Sequence, residues 1–177
     1  MIREIVLYGS KVLRRTADSV ETVDDGVRAL IRDLFDSLAE AEGVGLAAPQ
    51  IGVSRRVIIV DVSGAEPAIP PIALVNPVIE IGQGMATGEE GCLSIPEVYG
   101  DVPRYTNIEV SALDMNGEAI RFTAEGFHAR VLQHEIDHLD GKLFIDLLPP
   151  LKRQLLRGAL KRLKKEGEQW DRRHAVA

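Results

Sequence analysis

The residues best suited to chemistry converge on one stretch, Gln133-His134-Glu135-Ile136-Asp137-His138. On a helix, side chains four apart lie one above the other, so His134 and His138 would face the same way. Two imidazoles in that relation can grip one divalent metal, and Glu135 beside them can carry a proton. The alternative is a satisfied pair of core histidines. A carboxylate on the same buried side weighs against it, because a charge facing a core is costly unless it is paired, metal-bound or working.

A catalytic tetrahedral centre needs a third protein ligand and one open position. Downstream of His138 run Leu139-Asp140-Gly141-Lys142-Leu143-Phe144-Ile145-Asp146, with no third histidine. Asp146 and Glu166 are poor candidates there. Upstream, the one cysteine of the chain stands in Glu90-Gly91-Cys92-Leu93-Ser94-Ile95-Pro96. A free cysteine is ordinarily a small buried hydrophobe, yet a thiolate is also a recognised companion of two imidazoles at a metal. A second segment, Gly43-Val44-Gly45-Leu46-Ala47-Ala48-Pro49-Gln50-Ile51-Gly52, is small and apolar apart from the amide of Gln50. It reads as a tight loop between helix and strand, or as backbone open to close approach by a ligand.

The elements that must position these residues are legible from periodicity. Residues 1–20 read as extended or irregular. From about Val23, capped by Thr22 or Asp24, Val27, Leu30, Ile31, Leu34 and Leu38 recur at helical spacing until Gly43 ends the helix. Arg56 to Val62 reads as a buried strand, and Ile72 to Ile81 as a second one bent at Asn76-Pro77. Gly82 to Gly91 is glycine-rich. Asn107 to Met115, the Asn116-Gly117 turn and Ala119 to Thr123 form a hairpin pattern. Ala124 to Asp140 reads as the central helix, with Phe127, Val131, His134 and His138 on one stripe. Arg130, Gln133, Asp137 and Asp140 fall on an opposite, polar stripe. A basic final helix runs from about Pro150 to Glu168, with Leu151, Leu155, Leu156, Leu160 and Leu163 on one face.

Composition narrows the class. Of 177 residues, 45% are hydrophobic and 27% charged, which suits a globular chain with a real core. The single cysteine excludes an internal disulfide. The longest apolar runs are far too short to span a bilayer, so no membrane role is expected. The first residues lack a signal-peptide core, which points to the cytoplasm. The net charge of −6 argues against DNA as a partner, but it is unevenly spread. Residues 1–150 hold 12 Lys and Arg against 24 Asp and Glu, whereas residues 151–177 hold nine against three. A basic element is therefore attached to an acidic body.

Three segments in a fixed order, Gly43 to Gln50, Glu90 to Ser94 and Gln133 to His138, together resemble the peptide deformylases. These metalloenzymes remove the formyl group from the N-terminal methionine of new bacterial and organellar proteins. The likeness runs from the first residues to about Leu148, and the basic last helix resembles that of long-tailed bacterial members. The resemblance implies an α+β fold, with antiparallel β-sheets packed around a central metal-binding helix and a C-terminal helix, in one catalytic domain over 1–177. It implies Cys92, His134 and His138 as metal ligands with water as the fourth, and Glu135 as general acid and base. Gln50 and the backbone N–H of Leu93 would face the formyl oxygen. An extended substrate would pair with the backbone of Val44, Gly45 and Gly91, while Val44, Phe127, Val131 and the His134 ring would wall a methionine pocket.

The donor set would accept Zn, Fe, Co or Ni, and intrinsic affinity favours zinc over ferrous iron. The resemblance implies Fe(II) in the cell, readily lost to oxidation and replaced by zinc. The expected partners are N-formyl-Met nascent peptides; the basic helix reads either as a solvated helix face or as an element that docks on ribosomal RNA. Two positions depart from the family pattern. Arg130 stands where an aliphatic residue is common, which bears on the outer pocket, and Tyr8-Gly9-Ser10 lacks a frequent Pro-Asp. A zinc endopeptidase shares the paired histidines, but it lacks the Glu-Gly-Cys-Leu-Ser segment and takes its third ligand downstream. A binding module that had only kept the fold would be expected to have lost a ligand or Glu135, and neither is lost.

Overall fold

The computed structural model describes residues 1–176. After a short 3-10 turn at Lys11–Arg14, helix α1 spans Asp25–Ala41. The Asp24 side chain caps it by accepting from the Val27 N–H. The residue that turns left-handed at its end is Glu42, one position before the predicted Gly43. Strand β1 (Gly45–Ala47) and a 3-10 turn (Ala48–Ile51) follow, so the expected loop is largely ordered. Strands β2 (Val57–Val60) and β3 (Ile72–Gln83) come next. The Asn76-Pro77 interruption is a bulge inside β3. Asn76 takes a left-handed backbone there, and its side chain bonds both backbone groups of Val20.

Strands β4 (Ala86–Cys92) and β5 (Ile95–Arg104) form a hairpin where only a glycine-rich stretch is legible in the sequence. Strands β6 (Asn107–Leu113) and β7 (Ala119–Glu125) form the predicted hairpin. Its turn is pinned by the Asp114 carboxylate, which accepts from Asn116 N and Glu118 N. Helix α2 spans Gly126–Leu139, a little shorter than predicted. A 3-10 turn at Phe144–Leu147 leads into helix α3, Pro150–Arg173.

The strands make a five-stranded antiparallel sheet in the order β1-β2-β3-β6-β7, and β4-β5 form a separate pair. This is the expected α+β architecture. Alternation along β2 explains the layering. Ile58 and Val60 face Leu132, Ile136 and Leu139 of α2, while Val57 and Ile59 face Ile31, Leu34 and Leu38 of α1. The sheet is thus packed on both faces, and each fully buried Leu or Ile in those layers contributes roughly 1.5–3 kcal/mol. The hairpin has its own core, in which Ile95, Val98 and Val102 pack on Leu143, Phe144 and Leu148.

Two predicted faces are corrected. Most of the polar stripe of α2 does not face water: Gln133 is buried and bonds both backbone groups of Tyr105, and Asp137 accepts from Arg104, while Asp140 at the helix end is exposed. On α3, Leu151 and Leu155 are exposed, and the docking face runs through Leu156, Leu160 and Leu163 to Gly167 and Trp170. The far end is held by Asp171, which accepts from Ser10 Oγ and from Lys11 N. The first residues and the last helix therefore close on each other, and α3 is no loose tail.

Candidate metal centre

Three chain segments deliver the functional side chains. Helix α2 presents His134, Glu135 and His138, the hairpin presents Cys92 and Leu93 at its tip, and the turn after β1 presents Gln50. The cysteine sulfur and one ring nitrogen of each histidine lie within 4.8 Å of one another. His138 Nε2 is 3.3 Å from His134 Nε2 and 3.4 Å from Cys92 Sγ. Metal–nitrogen bonds near 2.05 Å at a tetrahedral angle would place two nitrogens about 3.3 Å apart, and a nitrogen and a thiolate about 3.6 Å apart. The donor set and its spacing fit one tetrahedral divalent ion. Asp146 takes no part, since it accepts from Arg14 and from Leu143 N, and Glu166 is exposed on α3.

A metal-binding imidazole is usually oriented through its second nitrogen. His134 Nδ1 lies 2.9 Å from Glu90 Oε1. Glu90 in turn accepts from Arg104 at 2.9 and 3.0 Å and from Arg130 at 2.8 Å. Burial alone would raise the Glu90 pKa, but its hydrogen bonds to His134 and Arg104 outweigh burial and hold it at about 2. Burial also disfavours a charged His134, yet hydrogen bonds to Cys92 and Glu90 raise that imidazole well above its ordinary range. His138, buried and beside His134, is pushed well below. The two rings thus compete for one positive charge at the point where their nitrogens converge.

Glu135 is 4% exposed, and its Oε2 has no hydrogen-bond partner among the described residues. Burial pushes its pKa up to about 7. Gln50 is buried and fixed at both ends of its amide: Oε1 accepts from Ala47 N at 2.9 Å, and Nε2 donates to Ser94 Oγ at 3.2 Å. Nε2 also reaches Cys92 Sγ at 3.5 Å. An open cleft of about 510 Å³ exposes this group of residues. Every predicted substrate residue borders it, namely Val44, Gly45, Gly91, Phe127 and Val131, together with Leu93.

These features agree with a comparison of the whole chain with known proteins. The sequence model of polypeptide deformylase matches residues 2–154. The chain belongs to the polypeptide deformylase family. It is 46% identical to the peptide deformylase of Alkalilimnicola ehrlichii over 166 residues, covering 94% of this chain and 93% of that protein. The crystal structure of the deformylase from Legionella pneumophila superposes with a TM-score of 0.86 at 46% identity, covering 93% and 96% of the two chains. A class I type b deformylase from Acinetobacter baumannii, solved with Met-Ala-Ser bound, gives 0.81 at 34% identity over 84% and 99%.

As a deformylase the chain is a hydrolase, and membership removes the endopeptidase and bare binding-module readings. No described helix is long and apolar enough to cross a membrane. Sequence reasoning missed Glu90 and Arg104 as supports of the deformylase site. Glu90 carried a faint signal, two residues before Cys92. Arg104 carried none, since it lies 14 residues from Glu90 and 33 from Asp137. Arg130, predicted to shape the outer pocket, borders the cleft but turns its guanidinium to Glu90 and the hairpin backbone.

Proposed function

We propose that the enzyme hydrolyses the N-terminal formamide of formyl-methionyl polypeptides and releases formate, with Cys92, His134 and His138 holding one divalent metal. The observation that carries this reading is the convergence of those three donors beside a buried, unpartnered carboxylate and a fixed amide. When bound, such an ion supplies a nucleophilic water near neutral pH, lowering its pKa from about 15.7 to about 7. Glu135 accepts the proton of the attacking water and delivers it to the departing amine. A carboxyl group that titrates at about 7 suits both transfers. Gln50 Nε2 and the Leu93 backbone N–H donate to the formyl oxygen as it gains charge, each typically worth ~3 kcal/mol.

The peptide lies extended along the cleft, pairing with the backbone of Val44, Gly45 and Gly91. Its methionine side chain sits between Val44, Phe127, Val131 and the His134 ring. The Met-Ala-Ser held by the Acinetobacter baumannii relative is the corresponding deformylated tripeptide. We assign Fe(II) as the ion in the cytoplasm, with Zn, Ni or Co able to replace it in purified protein. The exposed cations of α3 serve to dock the enzyme at the ribosome. Elemental analysis of anaerobically purified protein, paired with turnover of formyl-Met-Ala-Ser, tests the central claim. One metal per chain and formate release are expected. Turnover unchanged by a chelator, or loss of a peptide bond in place of the formyl group, would overturn it.

A further inference from the structure

The hairpin that carries Cys92 pairs with no other strand among the described residues. Two-stranded pairs are marginally stable by themselves. The apolar core of the hairpin gathers Ile95, Val98, Val102 and the partly buried Cys92. That core packs on the turn around Phe144 and on α3, so the distance of Ala86 to Glu90 and of Gly100 to Arg104 from α2 is set by polar contacts. Only a defined separation between hairpin and helix keeps Cys92 Sγ within reach of both imidazoles.

Arg130 spans this gap. It stands one helical turn before His134, and its side chain is 14% exposed. Nη1 donates to Glu90 Oε2 and to Val102 O, both at 2.8 Å, and more distantly to Gly88 O at 3.4 Å. Nη2 donates to Ala86 O at 2.8 Å. One planar fork thus holds both strands of the hairpin and the carboxylate that orients His134. Gly88 leaves room for it, since a Cβ at that position would lie 3.2 Å from the Arg130 Cζ and Nη2. Arg104 supports the same carboxylate but is nearly buried and binds Asp137 as well, so its loss would strand two acids. Arg130 lies nearer the edge, and Glu90 keeps Arg104 without it.

We propose that Arg130 is a positioning residue for the metal centre, locking the cysteine-bearing hairpin to the histidine-bearing helix. This inference rests on the proposed three-ligand centre. A lysine cannot replace it fully, because a single ammonium lacks the rigid fork that reaches carboxylate and carbonyls together. Removing a support of this kind typically costs 10–100-fold in metal affinity.

The test uses the full chain loaded with Co(II). Three quantities are measured for wild type, Arg130→Met and Arg130→Lys: the thiolate-to-cobalt charge-transfer band, the rate of Co(II) release to a chelator, and Tm. Release from Arg130→Met is expected to rise about 10-fold or more, with a weakened or shifted band. Arg130→Lys is expected to fall between it and wild type. Release within twofold of wild type in both variants, with an unchanged band, would overturn the proposal even if Tm falls, because a purely structural strap predicts that pattern. Failure of the underlying centre looks different. Wild type would then bind no Co(II), or Cys92→Ala would bind it equally well.

Discussion

Gly45 offers a sharp test of how Glu135, the proposed general base, is held. A Cβ built at this position would lie 2.5 Å from Glu135 Oε1, 2.8 Å from its Cγ and 2.9 Å from its Cδ. Gly45 sits in ordinary strand backbone paired with Val60, so alanine introduces no backbone strain. The cost must come from packing. Ordinary contact needs about 3.4 Å or more, so the carboxylate must retreat by half an ångström to one ångström. It is 4% exposed, so any retreat displaces packed neighbours or turns the carboxylate out of its place beside the cleft.

Overpacking of that kind costs about 1–3 kcal/mol of stability, and a 1 Å misplacement of a reacting group costs about 100-fold in rate. Gly45→Ala should therefore keep its metal, lose a few degrees in Tm and lose about 100-fold in kcat on formyl-Met-Ala-Ser. The double variant separates the causes. In a Glu135→Gln background, already slowed by ~10²–10⁴, Gly45→Ala should still cost stability but remove little further activity, because both act through one side chain. A kcat within threefold of wild type for Gly45→Ala alone, or fully additive losses in the double variant, would refute the reasoning.

Gln50→Leu removes the proposed donor to the formyl oxygen and should lower kcat by ~10²–10³ while the metal stays bound. Unchanged kcat would remove Gln50 from the oxyanion site. Acid lability should trace to Glu90, which titrates at about 2 in the fold against an ordinary 4.5. Its stabilisation is complete above pH 4.5 and is lost as pH falls from there towards 2. Glu90→Gln should flatten that part of a urea-unfolding profile, and equal slopes in the two proteins would contradict the assignment. For α3, truncation after Leu148 should lower Tm, because it removes Trp170 and the Asp171 contacts to Ser10 and Lys11. Reversing the exposed charges Arg157 and Lys161 should instead leave Tm and tripeptide turnover intact and weaken ribosome binding at low salt. Unweakened binding would exclude these two cations from the docking face.

What the sequence shows of this site follows from how far apart its parts lie. The spacing of His134 and His138 is local, and helical period makes it readable in isolation. Cys92 enters through the order of three short segments, because no periodicity links it to a helix 42 residues on. The β4-β5 hairpin escaped sequence reading because Ala86 to Cys92 has no apolar alternation, and its partner strand carries Pro96 and Pro103. Its link to α2 comes instead from guanidinium groups reaching carbonyls and carboxylates across the fold. Leu151 and Leu155 obey the period of α3 yet stay exposed, since the surface that α3 meets begins only at Leu156.

The two site glutamates show the same limit in their chemistry. Glu90 and Glu135 are the same residue type, and both are buried. Two guanidinium groups and an imidazole keep Glu90 ionised, as an anchor for His134. Glu135 meets the backbone of Gly45, lacks a partner for Oε2 and titrates near neutrality. Environment alone divides them into a fixed charge and a mobile proton site.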